Sequence, residues 1–261
     1  MLLITRPTSK GMFKMDVKAV EIETCAVREE KASATEFTLT SGGHSWKFVT
    51  RSEMERMRWV TEILNQIHNL KEDKVFGVNL ARVVERENRP IPRIVEETIS
   101  IIVEKWLDVE GIFRVSADKK ELESLKSKVD KGDPYDLTVE KVHTVTGLLK
   151  TFLRELPTPL FPYSFFDRFV SAQLEYKSTE DPVALMGSLQ AILVEMPPCN
   201  LALLKALLSF WKHVVVQSAV NKMTAQNLAI VFGPNLLRPQ EETLESNLSI
   251  PLVNGVVAFM M

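Results

Sequence analysis

The sequence has little cysteine, tyrosine or histidine: two, three and four residues in a chain of 261. Cys25 and Cys199 lie far apart, so neither a disulfide framework nor a zinc site is indicated, and a reducing, intracellular setting is expected. An excess of one charge is missing too. Lys and Arg number 32 against 34 Asp and Glu, and no basic stretch interleaves with aromatics, which excludes the electrostatic footprint of a nucleic-acid binder. Long uninterrupted apolar runs are absent. The most apolar stretch, LALLKALLSFWKHVVVQ from Leu201 to Gln217, is broken by Lys205, Lys212 and His213 and is slightly short for a membrane span, so a buried core helix is expected. The N-terminal MLLITRPTSKG is too weakly apolar for a secretory signal, and a soluble, cytoplasmic protein is the expectation. There is no GxxxxGK[ST] phosphate loop and no Cys–His or Ser–His nucleophile pattern. The chain therefore offers no nucleotide site and no nucleophile of its own.

What remains is an ordinary globular composition, 45% apolar and 25% charged, in a length suited to one large domain or two small ones. The hydrophobic period separates two regions. In residues 1–72, FKMDVKA alternates Phe13, Met15, Val17 and Ala19 with polar neighbours, which is a strand period. EFTLT and SWKFVT carry Phe37, Leu39, Trp46 and Phe48, and Gly42-Gly43 between them supply a tight turn, so a hairpin is predicted. Ser52 and Glu55 form a capping box, after which Met57, Val60, Leu64 and Ile67, widened by Trp59 and Ile63, recur at helical spacing. Strands followed by one amphipathic helix make a small β unit.

Residues 73–261 show only helical periods. The apolar positions predict helices after Pro92, around Leu122–Val129, over Leu148–Leu156 up to Pro157, then Phe165–Leu174, Val183–Val194, Leu201–Val216, 223–232 and 252–260. The predicted class is mainly α, an all-helical bundle preceded by a small, incomplete β sandwich with a C-terminal helix.

Three segments of this region carry residues whose types call for a reason. In LLKTFLREL the apolar positions share one arc, and Lys150 and Arg154 lie together on the other, four residues apart. Like charges at that spacing cost a helix about 0.2–0.5 kcal/mol unless something acidic meets them. They are either a solvated face partly neutralised by Glu155 or a binding pair. In MTAQNLAIVFGPNLLRP, Gly233-Pro234 reads as a helix stop and places Asn235 at the start of an exit loop, as a local turn residue or a contact. In EGIFRVSA, Gly111 permits a left-handed turn, and Ile112, Phe113 and Val115 are candidate core anchors. Arg114 is left pinned from both sides, either bonding carbonyls at a helix end or presented at a fixed height.

Two resemblances follow from these residues. The strand–helix order from Lys10 to Leu70, with Trp59 in the helix, resembles the second half of a pleckstrin-homology domain. That family's first strands, which bear its phosphoinositide-binding loop, find no room before Phe13, so no lipid site is carried over; the uncovered face implies either cover from the helical region or weak order. GIFRVSA, KTFLRELPTPLF and NKMTAQNLAIVFGPNLLRP, in this order from Val75-Phe76-Gly77 to the last helix, are similar to the signature segments of RhoGAP domains. That resemblance implies a bundle that binds GTP-loaded Rho-family GTPases and accelerates their hydrolysis. Arg114 matches the family's arginine finger, with Gly111 and Phe113 supporting its loop. Lys150 and Arg154 match the basic pair beside it, and Asn235 and Pro239 match contacts to the GTPase. GTP and Mg2+ would be held by the partner, with Rac or Cdc42 favoured and recruitment to membranes an accompanying expectation. A RhoGAP-like adaptor that binds without stimulating, or a membrane adaptor acting through the first region, are the alternatives. Where the family usually has glycine, this chain has Ala117, tolerable if its φ is negative.

Overall fold

The computed structural model describes residues 2–3, 6–7, 13–14, 19–20, 26–29, 33–41, 44–72, 74–241, 243 and 248–261. The chain divides into two compact units, Met1–Asp73 and Lys74–Met261.

In the first unit, β1 (Leu2–Leu3) pairs antiparallel with β4 (Ala19–Val20), and β2 (Arg6–Pro7) with β3 (Phe13–Lys14). Ahead of Phe13 the described residues form strand in two-residue pieces. The predicted strand positions Met15 and Val17 lie outside the described residues. β5 (Ala26–Glu29), β6 (Glu36–Ser41) and β7 (His44–Val49) form a three-stranded antiparallel sheet. Its register sets Phe37 opposite Phe48 and Leu39 opposite Trp46, as the alternation requires, and the first pair stacks at 5.0 Å. The predicted turn residues Gly42 and Gly43 lie outside the described residues.

Helix α1 (Glu53–Glu72) starts where the Ser52 hydroxyl accepts the Glu55 amide, 3.2 Å, and Glu55 accepts the amide of Arg51 rather than that of Ser52. It closes over the sheet through Val60 and Ile63, which join Phe37 and Leu39 in one small core. Met57, predicted to belong to this stripe, and Trp59, predicted to widen it, are exposed at 55% and 47%. Arg56 takes the inward place, its Nε donating to the carbonyl of Ala34 at 2.8 Å. The sheet is narrow, so only a narrow helical face is needed to cover it.

Among its described residues the second unit forms helices joined by turns and loops, with no strand. α2 (Leu80–Glu87) was not among the predicted helices; it is short, buries only Leu80 and Val83, and starts at Asn79, whose side chain accepts the Ala81 amide. α3 (Arg93–Lys105), α4 (Lys119–Lys131), α5 (Val142–Glu155), α6 (Phe166–Thr179), α7 (Pro182–Leu193) and α8 (Pro198–Val216) follow the predicted periods. A single turn, α9 (Ser218–Asn221), leads to α10 (Ala225–Leu236) and α11 (Ile250–Met260). Asp118 and Asp181 each accept two amides of the helices they open, supplying partners the first turn lacks. Asp130 does the same for a loop: its Oδ1 accepts the amides of both Val75 and Phe76 at 2.9 Å, fixing the entry of the chain into the bundle.

α8 is long and apolar enough to cross a membrane by length and composition. Its Leu203, Leu204, Leu207, Phe210, Trp211 and Val214 are instead core residues of the bundle.

Gly233-Pro234 does not end α10. The helix continues to Leu236, so Asn235 is helical and not in an exit loop. Proline removes one amide, the one that would bond the carbonyl of Ile230, and Ile230 is an exposed residue, 61%, where water can serve that carbonyl. Gly233 serves packing: a Cβ there would fall 2.4 Å from Asn254 Oδ1 on α11.

Candidate functional site

α3 ends at Lys105 with Trp106 as its C-cap, and the chain then turns through residues 107–115 before Asp118 opens α4. Within that connection the backbone is unusual at two positions. Gly111 has φ +69°, which costs glycine nothing. Phe113 has φ +72°, which in a bulky aromatic residue costs about 1–3 kcal/mol.

Packing holds Phe113 there. Its side chain is fully buried, with the ring edge-on to Phe210 on α8 (5.8 Å) and to Phe232 on α10 (5.1 Å). Burial of such a side chain is worth about 1.5–3 kcal/mol, and each aromatic contact adds about 0.5–1.5 kcal/mol. Together these outweigh the strain. Ile112 is also fully buried.

Beside this anchor Arg114 is exposed. Its amide donates to Gly111 O at 2.8 Å, closing the turn. Val115 was expected as a further anchor, but it is 46% exposed. The left-handed residue at 113 reverses the chain, so alternation no longer alternates sides.

α5 supplies the second part. Lys150 is half-buried, and its Nζ donates to the carbonyl of Phe113 at 2.6 Å. Burial, and then the neighbouring Arg154, hold its pKa below the ordinary lysine value. An ammonium kept in so unfavourable a place is there for the bond it makes. Arg154 is exposed, with a long contact from Nη2 to Thr151 Oγ1 at 3.4 Å. Glu155 does not neutralise this pair: its carboxylate binds Lys126 of α4 at 2.8 Å, pointing its charge toward the other helix.

α10 and the segment after it supply the third part. Asn235 is half-buried and donates from Nδ2 to Val231 O at 3.0 Å, one turn back in its own helix. Pro239 is half-buried in the following segment. Between them lies Arg238, which the sequence reading passed over. Its Nη1 donates to Arg154 O at 2.9 Å and its Nη2 to Leu156 O at 2.6 Å. A guanidinium there satisfies carbonyls that α5 leaves open at its end and complements the helix dipole. A basic residue next to proline after a helix gave no signal, because its partners are 82 and 84 residues away.

The structure thus brings Lys150 to the Arg114 loop and Arg238 to Arg154, and the Phe161 amide bonds Leu236 O at 2.9 Å, joining the end of α10 to the connection after α5. Gly111 carries the turn and Phe113 the anchor. Ala117 is not among the residues of positive φ, so alanine fits its backbone, and its methyl lies where α5 carries a glycine, Gly147.

A family pattern described as the RhoGAP domain matches residues 92–241. The mouse protein named Rho GTPase-activating protein 27 is 37% identical over 192 residues, 72% of this chain and 22% of that protein. Rho GTPase-activating protein gacY of Dictyostelium discoideum is 39% identical over 195 residues, 73% of this chain and 27% of that one. The chicken Rho GTPase-activating protein 15 is 35% identical, covering 75% of this chain and 41% of its own. The chain therefore spans about a fifth to two fifths of the length of these curated relatives. Among solved structures, human Rho GTPase activating protein 15 aligns with a TM-score of 0.67 at 36% identity, over 72% of this chain and 89% of that one.

Proposed function

The chain belongs to the RhoGAP domain family, and on that premise we propose that it is a GTPase-activating protein for Rho-family GTPases, with Arg114 inserted in trans as an arginine finger. The observation that carries this reading is the bond from Lys150 to Phe113 O: it grips the backbone immediately before an exposed arginine whose predecessor is locked in the core.

The chemistry fits the residue types. In phosphoryl transfer, negative charge is redistributed among the γ-phosphoryl oxygens and toward the leaving oxygen. A guanidinium is always charged, planar and able to bond two oxygens at once, whereas lysine is a point charge. Such a finger is worth about 10³–10⁵ in rate, or about 4–7 kcal/mol of barrier. GTP, Mg2+ and the water-orienting side chain belong to the partner. Arg154, Asn235 and Pro239 form the rim that receives it, with Arg154 meeting acidic or carbonyl groups.

Single-turnover GTP hydrolysis by a panel of Rac, Cdc42 and Rho proteins tests the reading. The protein should accelerate at least one of them, with Rac or Cdc42 favoured, and Arg114→Ala should lose about 10³-fold or more of that acceleration while still binding the GTP-loaded form. Stimulation unchanged by the substitution would refute the finger. Binding without stimulation by the unaltered chain would make it an adaptor instead.

A further inference from the structure

The loop that carries Arg114 is gripped from a second side, by a residue to which nothing so far gives a role. Asn221 ends the single turn α9 and is completely buried. Every polar group it has is used. From Nδ2 it donates to Leu107 O at 2.7 Å and to Val214 O at 2.8 Å, and its Oδ1 accepts the Met223 amide at 2.8 Å. Its backbone amide donates to Gln217 O at 3.0 Å, and its carbonyl accepts the Gly111 amide at 2.8 Å. Two of these bonds reach across the chain: one to Leu107, where the connection after α3 begins, and one from Gly111, the first residue of the turn that presents Arg114.

We infer that Asn221 is a positioning residue for Arg114, setting the height and direction of the finger loop from below while Lys150 holds it from the side. A primary amide is the group the place demands. It must donate twice, to Leu107 and Val214, and accept once, from Met223, within a single planar head, and no carboxylate or hydroxyl can do all three. Asn221 is followed by Lys222 at φ +60°, so the chain reverses at once and leaves the Asn221 carbonyl facing Gly111. Misplacing a reacting cation by about 1 Å costs on the order of 100-fold in rate, so a buried group remote from solvent can control the chemistry without touching the partner.

The inference rests on the proposed activity, and the test separates the two. Asn221→Ser, Arg114→Ala and the double variant are compared with the unaltered protein in single-turnover GTP hydrolysis by the responsive GTPase, titrated to saturation. Asn221→Ser should lower the saturating rate about 10–100-fold and leave the half-saturating concentration within about twofold. In the Arg114→Ala background it should cost nothing further, because it acts through that side chain. An equal loss in both backgrounds, or a loss confined to the half-saturating concentration, overturns the inference and leaves the finger standing. No stimulation by the unaltered protein removes the finger and this inference together. Should Asn221→Ser fail to fold, amide exchange in the unaltered protein decides: the Gly111 amide should exchange as slowly as those of α8. Exchange at the rate of an exposed loop would overturn the inference.

Discussion

Gly147 lies on α5 with the segment that follows Arg114 packed against it. A Cβ at position 147 would sit 2.9 Å from Ala117 Cβ and 3.5 and 3.6 Å from the two Leu122 methyls. Carbon atoms pack comfortably at about 3.5–4.0 Å, so in Gly147→Ala something must yield by about 0.6–1.1 Å. The methyls at 117 and 147 are both alanine Cβ atoms with no rotamer to change, so the yielding falls on backbone. Overpacking of this kind costs about 1–3 kcal/mol, and alanine's helix propensity returns about 0.8–1.0 kcal/mol. The net is a destabilisation of about 0–2 kcal/mol, or up to about 8 °C in melting temperature for a unit of this size. Ala117→Gly removes the obstacle. Alone it should cost about 0.4–1 kcal/mol through added freedom of the unfolded chain. The pair together should therefore be better than the sum of the singles by about 1–3 kcal/mol. Denaturant melts of the four proteins, read by helical circular dichroism, give that coupling. The segment displaced by Gly147→Ala begins just after Arg114, so the stimulated hydrolysis rate should fall about 10–100-fold and return in the double variant. Additivity within about 0.5 kcal/mol, or a rate untouched by Gly147→Ala, would refute the contact as described.

Two further outcomes follow from the same surface. Because burial and Arg154 hold Lys150 below its ordinary 10.5, the unfolded chain binds more protons between that lowered value and 10.5, so the residue's contribution to stability becomes more favourable as pH rises through that window; melts of the unaltered protein and Lys150→Met should diverge in favour of the former there, and parallel curves would contradict the burial. Arg238→Ala should destabilise the bundle by about 1–2 kcal/mol, since two carbonyls at the end of α5 lose a charged donor; an unchanged denaturation midpoint would show that water replaces the guanidinium without loss.

Where local rules govern, the sequence was a sufficient guide. The helix periods from Pro92 onward, the Ser52 cap and the Phe37–Phe48 pairing depend on residues a few positions apart or on strict alternation, and the structure has them. It failed where a distant partner decides. Gly-Pro reads as a stop, yet α10 runs through Pro234, and Gly233 instead leaves room for Asn254 on α11. Glu155 reads as a neighbour of Arg154, yet Lys126, 29 residues away in the chain, holds it. Val115 and Trp59 read as core by spacing, but the reversal at Phe113 and the narrow sheet under α1 leave them exposed. The site was legible as a set of residue types in order. The bonds that arrange it, from Lys150 to Phe113 and from Asn221 to Leu107, join segments 37 and 114 residues apart and have no local signature.

The left-handed Phe113 also bears on what docking must accomplish. A loop of free backbone loses about 1–2 kcal/mol per residue when a partner fixes it. Residues 111–115 are already fixed by the aromatic cluster around Phe113 and by turn bonds closed on Gly111 O. That ordering, about 5–10 kcal/mol over the five positions, is settled when the bundle folds and is not drawn from the energy of association. A partner contact of modest size can then suffice, because little of its energy is spent on ordering this loop.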